Sequence, residues 1–456
     1  MTATQDPRTI PLVDGALDEG ALARLRERFK ADPGKRIAQN AVTRTSVDHI
    51  ALNREVVNNT DHTFSTVLDD WKVTSQGQSG RCWAFAGLNL LRVGAMKKMN
   101  IKEFEFSQTY VLFWDKLERA NYFLQAIIET AAQPLDDRTV SFLLDKPLED
   151  GGQWTMFVAL VKKHGLVPKA AMPETQSSSA TRRMNQILLS ILRQGARDLR
   201  AAHARGASEG DLQAAKQQVL ADVYNILAIH LGTPPETVHW QWRDRNKEFQ
   251  REEPMTPQEF AAKYVTLPLD EYVCLVHDPR PDNPPNRTYT VQYLGNVVGG
   301  DRVIYLNVDI DLMKRITRET IEDGEPVWFG CDVGKMMHRQ LGLWDANLYE
   351  LDALYGVEFA LDKADRLLYH DTLMTHAMLF TGVDVIDGGV RRWRVENSWG
   401  EKNGVRGFFT MNDNWFAEHV FEIAAHRDRL PEELRPALEL EPIVLPAWDP
   451  MGALAR

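Results

Sequence analysis

The chain has few cysteines for its length. Only three occur in 456 residues, Cys82, Cys274 and Cys331, an odd number at wide spacing. A disulfide framework needs an even number at closer intervals, so this pattern is typical of a reduced, cytosolic protein. We therefore expect a cytoplasmic location.

Long apolar runs are missing as well. No stretch approaches the length that crosses a membrane, and the first residues, MTATQDPR, lack the apolar region of a secretion signal. The sequence also lacks Cys, His and carboxylate residues grouped at metal-ligand spacing, so it gives no reason to expect a metal or an organic cofactor. These absences predict a soluble protein that has no membrane partner.

Positive charge is in the minority. The chain carries 53 Lys and Arg against 64 Asp and Glu, which gives a net charge of −11. Because binding to phosphate groups relies on cations, this balance argues against nucleic acid as the main partner. Apolar residues make up 44% and charged residues 26% of the 456 positions. That composition fits two or three globular domains, or one core with large insertions.

One cysteine lies at the start of an apolar run. The segment QGQSGRCWAF covers residues 76–85, and the apolar residues continue to Leu91. Such a run predicts a buried helix that ends near Asn100, just after two lysines, because cations suit a helix C-terminus. Cys82 then lies in the first turn. Free backbone N–H groups and the helix dipole there favour the thiolate, which is the nucleophilic form.

Gln76 precedes this cysteine by six residues. Its side-chain amide is a candidate hydrogen-bond donor to an oxyanion that forms beside the sulfur. The alternative is a buried structural cysteine next to an ordinary loop glutamine, since free cysteine is among the most buried residue types. Cys82 and Gln76 taken alone leave both interpretations open.

The segment as a whole resembles the active-site segment of the papain-like cysteine proteases. Arg81, directly before the cysteine, resembles the arginine of their intracellular branch, the bleomycin hydrolase and aminopeptidase C family. The resemblance implies a papain-like α+β fold with two lobes. A helical lobe would carry Cys82, a barrel-like lobe would carry its partners, and the cleft would lie between them.

A second candidate site lies on a predicted β-hairpin. Residues 374–383 and 393–400 have the pattern of strands, and residues 387–389, Asp-Gly-Gly, are a turn signal between them. His376 and Asn397 are nearly symmetric about that turn, so hairpin pairing would bring their side chains together. The Asn oxygen could then fix the tautomer and the orientation of the imidazole. Taken singly, a buried histidine and an asparagine bonded to backbone are the plainer interpretations.

The sequence around this pair extends the resemblance. NSWG at 397–400 is similar to the papain signature that contains the active-site asparagine, and THAM at 375–378 is similar to the histidine strand of the bleomycin hydrolase branch. The resemblance implies that Cys82 works with this histidine and this asparagine, while Gln76 stabilises the oxyanion. It also implies that Trp399 shields the His–Asn hydrogen bond from water.

Two adjacent glycines, Gly151 and Gly152, lie between these motifs. Paired glycines before an aromatic residue indicate a close backbone approach, although a plain turn is the simpler explanation. They occupy the place of the papain glycine wall, which hydrogen-bonds the substrate backbone. The resemblance therefore implies that both glycines bind substrate.

Residues 176–260 have the pattern of an insertion of two helices. Apolar residues recur at helical spacing on either side of a break at residues 206–210, and the second helix ends at Gly232. Between positions 181 and 220, seven Lys and Arg outnumber three Asp and Glu. A solvated helix face and a segment for self-association explain this excess about equally well. Bleomycin hydrolases carry a helical insertion that builds a homohexameric ring, so the resemblance implies a homohexamer.

The last residues are extended but apolar. Prolines at 442, 446 and 450 prevent a regular helix, and a frayed terminus is the usual state of such a segment. The apolar content of this segment instead indicates that it lies in a groove. In bleomycin hydrolases a C-terminal arm lies in the cleft, and its terminal carboxylate meets the free amino group of the substrate. The resemblance implies the same here, with Ala455 terminal after the enzyme itself removes Arg456.

The sequence thus predicts five segments and one activity. The segments are an N-terminal arm, a helical lobe, a helical insertion for oligomerisation, a barrel-like lobe and a C-terminal arm, at residues 1–65, 66–175, 176–260, 261–435 and 436–456. The activity implied by the resemblance is a cysteine aminopeptidase that acts on peptides or small amides with a free amino terminus. A hydrolase of small amides or thiolactones is an alternative at the same site. A nucleic-acid-binding ring is an alternative that rests on the basic helix face.

Overall fold

Two units make up the fold. The computed structural model describes residues 15–68 and 71–455, so the predicted removal of Arg456 concerns a residue outside the described ones. Among the described residues, the smaller unit contains residues 15–59 and 347–360, and the larger unit contains residues 60–68, 71–346 and 361–455. Every candidate site residue among the described ones belongs to the larger unit.

Many helices begin at an Asp, Ser or Thr whose side chain accepts a hydrogen bond from a backbone N–H of the first turn. None of the helices within residues 15–68 and 71–455 is long and apolar enough to cross a membrane. The helices are α1 (Glu19–Lys30), α2 (Pro33–Val42), α3 (Val47–Ile50), α4 (Arg54–Asn59), α5 (Cys82–Met99), α6 (Gln108–Glu129), α7 (Arg138–Asp145), α8 (Trp154–His164), α9 (Gln176–Ser179), α10 (Arg182–Ala204), α11 (Glu209–Leu231), α12 (Pro257–Tyr264), α13 (Ile310–Glu322), α14 (Leu351–Tyr355), α15 (Lys363–Leu368) and α16 (Asp413–His419).

In the described part of the chain, twelve strands form one sheet and two more form a separate hairpin. The strands are β1 (Thr66–Val67), β2 (Gln241–Arg243), β3 (Phe249–Arg251), β4 (Tyr272–Val276), β5 (Arg287–Val291), β6 (Tyr305–Asn307), β7 (Val327–Cys331), β8 (Met337–His338), β9 (Leu343–Trp344), β10 (His376–Ile386), β11 (Gly389–Glu396), β12 (Phe408–Asn412), β13 (Val420–His426) and β14 (Ile443–Leu445).

The smaller unit consists of helices α1 to α4 and α14. None of the residues in α1 to α4 is buried. Backbone contacts join its two chain segments, since Glu350 donates to the Ala51 carbonyl at 2.8 Å and Asn53 donates to the Leu348 carbonyl at 2.9 Å.

Helix α5 lies in the core of the larger unit. It begins at Cys82 and ends at Asn100, which adopts the left-handed conformation with φ 53°, as the sequence predicts. Most of its residues are buried, including Trp83 and Phe85 next to the cysteine. An apolar helix without a polar face is stable only when it is covered on all sides, so α5 is the central helix of its lobe.

The predicted insertion forms two long helices. Buried residues of α10 recur every three or four positions and form one apolar stripe: Met184, Leu188, Leu192, Ala196 and Leu199. This stripe packs against α6 and α11. The chain turns at Gly206 (φ +81°) and leaves α11 at Gly232 (φ +84°), as predicted, and both φ values favour glycine.

Strand β10 is central to the large sheet. It pairs in antiparallel fashion with β7 on one side and with β11 on the other. The turn between β10 and β11 contains Asp387 (φ 51°) and Gly388 (φ 84°), a pair that suits a tight hairpin. The predicted hairpin is therefore confirmed.

Two hydrophobic clusters divide the larger unit into lobes. One cluster joins residues of α5, α6, α8, α10 and α11, and the other joins the inner strands to α13 and α16. Helices dominate the first lobe, and the sheet dominates the second. This arrangement agrees with the predicted α+β class.

Candidate active site

Cys82 is the first residue of α5 and is completely buried. Its Sγ accepts a hydrogen bond from the backbone N–H of Ala377 at 3.4 Å, so the helix start lies against the beginning of β10. Burial raises the pKa of the thiol to about 12, although the backbone N–H groups of Ala377 and Trp83 act in the opposite direction. Burial of the sulfur therefore opposes the preference for thiolate that the helix start predicts. Its thiolate requires a partner that takes the proton.

His376 and Asn397 lie side by side, as the hairpin predicts. Nε2 of the imidazole is 3.0 Å from Oδ1 of the asparagine. The backbone N–H of Ser398 donates to the same Oδ1 at 2.8 Å. A backbone N–H can only donate, so the contacted atom is the amide oxygen, and Nε2 must carry the hydrogen that it shares with that oxygen. In the neutral imidazole this leaves Nδ1 as the basic nitrogen.

Trp399 covers this pair. The centroid of its ring lies 5.1 Å from that of His376, and both His376 and Asn397 are buried. The guanidinium of Arg339 lies over the same indole at 4.6 Å. Because the surroundings exclude water, the hydrogen bond between imidazole and amide is stronger than an exposed one.

Gln76 is held at both ends of its side chain. Its Oε1 accepts from the hydroxyl of Ser398 at 2.5 Å, and its Nε2 donates to the Ser79 carbonyl at 2.5 Å. Its backbone N–H donates to the Ser398 carbonyl at 2.9 Å. The amide orientation is thus fixed, and one N–H of Nε2 remains available to a further acceptor.

Gly152 pairs with the C-terminal segment. Its N–H donates to the Ala455 carbonyl at 3.0 Å, and its carbonyl accepts from the Ala455 N–H at 3.3 Å. The neighbouring Gly151 carbonyl accepts from Arg119. A Cβ on Gly152 would lie 2.5 Å from the indole of Trp83, so only glycine permits the chain to pass here.

The C-terminal segment, residues 443–455, is fastened along its length. It begins as β14, which runs parallel to β5. Further on, Asp449 receives two hydrogen bonds from Arg280 at 3.0 and 2.8 Å, and the Met451 carbonyl accepts from the Tyr305 hydroxyl at 3.1 Å. The Ala453 carbonyl accepts from Gln153. Ala455 at its end is fully buried, so this end of the segment is held against the rest of the unit and is not frayed.

Asp150 joins the parts around the cysteine. Its carboxylate accepts from Gly80 N at 3.1 Å, from Lys116 at 2.6 Å, from Thr181 at 2.5 Å and from Asn185 at 2.7 Å. Burial alone would raise the pKa of Asp150, but the ammonium of Lys116 and these hydrogen bonds hold it well below its usual range. The carboxylate is therefore charged and ties the loop before Cys82 to the inserted helices.

Arg81 is buried directly before Cys82. Its guanidinium donates to both oxygens of Glu174, at 3.0 and 2.8 Å, and to the Ser79 hydroxyl at 2.9 Å. Such a bidentate pair fixes geometry as well as charge. Arg81 thus shapes the loop before Cys82 through its bonds to Ser79 and Glu174.

Glu396 joins α5 to the strand that leads to Asn397. Its carboxylate accepts from Trp71 at 2.5 Å, from Asn89 at 3.0 Å and from Arg92 at 2.7 Å. Burial raises the pKa of Glu396 in spite of the nearby Arg92. Asn89 and Arg92 belong to α5, so this cluster sets the distance between the helix of the cysteine and the strand of its partners.

We expect Arg92→Met to lower the free energy of unfolding by about 3 kcal/mol at pH 8, because it leaves Glu396 buried without its cation. Arg315→Met is a matched control. Arg315 pairs with Glu319 at 3.2 Å on an exposed helix face, where such a pair contributes only ~0.3–0.5 kcal/mol. Urea unfolding measures both changes. Equal costs for the two variants would contradict the role given to the buried cluster.

Glu422 on β13 is buried beneath the C-terminal segment. It borders a cavity of about 10 Å³ together with Gln153, Met374, Pro450 and Met451. Among the described residues its Oε1 has no hydrogen-bond partner. Burial raises the pKa of Glu422 to about 8, so this carboxyl keeps its proton at neutral pH.

Glu422→Gln should change how stability depends on pH. In the unfolded chain this carboxyl loses its proton near 4.5, the ordinary value, whereas the folded chain keeps it to about 8. Between these values the folded state binds more protons, so the stability of the original chain falls as pH rises, by up to about 1.4 kcal/mol per pH unit. The free energy of unfolding of the variant, relative to that of the original chain, should therefore rise from pH 5 to pH 8. The exposed Glu433→Gln is the control, and a difference that stays constant with pH would refute the assignment.

Comparison with known proteins decides the family. The model of the Peptidase C1-like family matches residues 16–452. The chain belongs to the Peptidase C1-like family. Bleomycin hydrolase of Homo sapiens is 45% identical to this peptidase over 450 residues, covering 96% of this chain and 99% of that protein. Aminopeptidase C of Listeria monocytogenes is 42% identical over 434 residues, covering 95% of this chain and 98% of that protein. The crystal structure of PepW from Lactobacillus rhamnosis superimposes with a TM-score of 0.95 at 45% identity, covering 97% of this chain and all of that one.

These relatives confirm three predictions. The peptidase belongs with the bleomycin hydrolases and aminopeptidases C, its fold is papain-like α+β, and it is a cysteine peptidase. The names of the relatives also support the predicted aminopeptidase activity. The roles of the individual site residues stay predictions.

The structure brings most of the predicted residues of the peptidase together. Cys82 contacts the strand of His376, His376 contacts Asn397, and Gln76 contacts the residue after Asn397. Sequence reasoning missed Asp150 and Glu396. Each directly precedes a predicted site residue, Gly151 or Asn397, and a charged residue at such a position was the available signal.

Proposed function

We propose that this peptidase releases single residues from the amino terminus of peptides by acyl transfer through Cys82. The observation that carries this function is the antiparallel pairing of Ala455 with Gly152, which packs against Trp83, the residue after Cys82. The segment of residues 443–455 lies where the preceding part of a longer substrate would otherwise bind. A substrate can then extend in one direction only, with its amino terminus at the end of the arm.

Proton transfer starts the proposed reaction. His376 takes the proton of Cys82 at Nδ1, and the thiolate attacks the carbonyl carbon of the first substrate residue. Gln76 Nε2 and the Cys82 backbone N–H donate to the oxyanion. His376 then protonates the leaving amine as the C–N bond breaks, which leaves a thioester. Water attacks the thioester with His376 as base, and Cys82 regains its proton.

Asn397 serves in this proposal as the residue that orients the imidazole. Its oxygen holds Nε2–H at 3.0 Å, and Ser398 N–H at 2.8 Å keeps that oxygen in place. The hydrogen bond selects the tautomer in which Nδ1 is basic. Packing of Trp399 against the ring supplies part of the same orientation.

In the proposed function, the C-terminal segment determines where a bound substrate can begin. Both backbone groups of Gly152 are bonded to Ala455, so a substrate has to begin beyond this residue. Once Arg456 is removed, the carboxylate of Ala455 would be the group that meets the amino group of the substrate. Such a carboxylate would select peptides with a free amine.

We also propose that residues 176–260 mediate self-association into a homohexamer in the cytoplasm. The surface of the insertion supports this. Ile229 on α11 is 82% exposed, and Tyr224, five residues earlier on the same helix, is exposed as well. Exposed apolar residues on a helical hairpin are typical of a surface that another subunit covers.

The experiment that tests the proposed function compares two forms of one peptide. The peptidase should release the first residue from the free-amine peptide and leave its N-acetylated copy intact, as measured by mass spectrometry of the products. Comparable cleavage of both forms would refute the proposal.

A further inference from the structure

A buried carboxylate, that of Asp332, lies next to the start of the strand that carries His376. Asp332 directly follows Cys331, the last residue of β7, and Cys331 is paired with His376 in the register of β7 and β10. His376 is the first residue of β10. A group that determines where β10 begins therefore also determines where the imidazole lies.

Three donors to the Asp332 carboxylate come from the four residues that precede His376. Its Oδ2 accepts from the Thr372 hydroxyl at 2.7 Å, and its Oδ1 accepts from the Thr375 hydroxyl at 3.3 Å. The backbone N–H of Leu373 donates to the same carboxylate. One side chain thus holds residues 372–375 at the end of β7.

Thr375 connects this carboxylate to the backbone of both strands. Its own N–H donates to the Cys331 carbonyl at 2.9 Å, and its hydroxyl oxygen accepts from the Val333 N–H at 3.1 Å. The hydroxyl hydrogen has two acceptors within reach, Asp332 Oδ1 at 3.3 Å and the Cys331 carbonyl at 3.4 Å. The residue directly before His376 is therefore fixed through its side chain as well as its backbone.

Residues 369–375 need such a support, because they belong to no helix or strand. Within them, His370 has a positive φ of 60°, and the side chains of Tyr369 and Leu373 are exposed. Thr372 and Leu373 also line a cavity of about 250 Å³ together with Trp448 of the C-terminal segment. Packing alone therefore leaves this segment incompletely held.

The carboxylate is an expensive way to hold a segment. Its donors are two hydroxyls and a backbone N–H, all neutral, and burial raises the pKa of Asp332. A buried carboxylate that is bonded to neutral donors costs folding free energy. Groups that cost stability in this way are expected where a working site needs a fixed geometry.

We propose that Asp332 is a positioning residue, which holds residues 372–375 so that Nδ1 of His376 stays within reach of the sulfur of Cys82. The proposal rests on the roles that the function above gives to Cys82 and His376, and it deepens that function. Asp332 acts through Thr375 and the start of β10 in this assignment, so it is not itself a catalytic residue.

Kinetics of four variants test the proposal. We expect Asp332→Ala to lower kcat/KM for a free-amine peptide about 100-fold and Thr375→Val about tenfold, mainly through kcat, because a misplaced base slows proton transfer. Thr375→Ser keeps the hydroxyl and should stay within twofold of the original. Asp345→Ala is the matched control: Asp345 is another buried carboxylate with neutral donors, and it accepts from Asn412 at 2.7 Å and from Asn414 at 3.1 Å. It should also stay within twofold.

Alkylation of Cys82 by iodoacetamide across pH distinguishes positioning from the other roles of a carboxylate. An imidazolium beside the sulfur favours the thiolate, so moving it away raises the apparent pKa at which Cys82 reacts. We expect this rise in both Asp332→Ala and Thr375→Val. Loss of a nearby negative charge would by itself lower the apparent pKa in Asp332→Ala, and a merely structural role would leave it unchanged.

The outcomes separate this inference from the function on which it rests. An apparent pKa that is unchanged or lowered in Asp332→Ala overturns the positioning role, as does a Thr375→Val variant that matches Thr375→Ser in kcat/KM. Thermal unfolding shows which variants are folded, and Thr375→Val decides the question if Asp332→Ala is not. Equal cleavage of acetylated and free-amine peptides by the original chain would refute the aminopeptidase function, whereas the alkylation result does not depend on which peptides are cleaved.

Discussion

Deletion of residues 450–456 should convert the peptidase from an aminopeptidase into an endopeptidase. Without the arm, the N–H and carbonyl of Gly152 become available to the backbone of a longer substrate. Ala455 uses both groups, at 3.0 and 3.3 Å, in the intact chain. Two backbone hydrogen bonds of ~1–1.5 kcal/mol each correspond to about 100-fold in binding, so we expect cleavage of N-acetylated peptides to rise by about that factor.

Deletion of Arg456 alone is the matched control. It keeps Ala455 and its pairing, so this variant should still act only on free-amine peptides. Ala455→Pro is a second test that keeps the arm at full length, because proline lacks the N–H that donates to Gly152. If the longer deletion folds, as judged by thermal unfolding, and still leaves N-acetylated peptides intact, the C-terminal segment is not what restricts the peptidase to free-amine peptides.

Cys82→Ala should lower turnover by about 10⁵-fold or more, to the level without enzyme, because no other group on the proposed path can form the thioester. Asn397→Ala should lower it much less, since Trp399 also orients the imidazole. Steady-state kinetics on a free-amine peptide measure these losses.

The other two cysteines provide controls for that substitution. Cys274 and Cys331 are buried in strands β4 and β7, and neither is disulfide-bonded. Alanine at either position removes a buried thiol, just as Cys82→Ala does. Each of these two variants should nevertheless keep most of its turnover. Retained turnover in Cys82→Ala, or its loss in Cys274→Ala at unchanged stability, would refute the assignment of the nucleophile.

The local parts of the site could be predicted from the sequence. The apolar run from Cys82 to Leu91 and the stop near Asn100 specify α5, with Cys82 at its start. A turn signal at residues 387–389 specifies the hairpin that pairs His376 with Asn397. Both depend on residues close in the chain, where capping and turn preferences act directly.

The long-range parts could not be predicted from residue patterns. The hydrogen bond from Ala377 to Cys82 joins residues 295 positions apart, and the one from Ser398 to Gln76 joins residues 322 apart. The charged clusters at Asp150 and Glu396 depend in the same way on which distant segments meet. The pKa of Cys82 followed burial rather than its position at a helix start, and burial is a property of the packed chain.

The central claim is that Cys82 attacks the first residue of a substrate whose amino group is free. Alkylation by an aminoacyl chloromethyl ketone, followed by peptide mapping, tests it most directly. The account predicts that the free-amine reagent labels Cys82 and neither Cys274 nor Cys331, and that its N-acetylated form labels none of the three at the same concentration. Labelling at another cysteine, or equal labelling of Cys82 by both reagents, would contradict it.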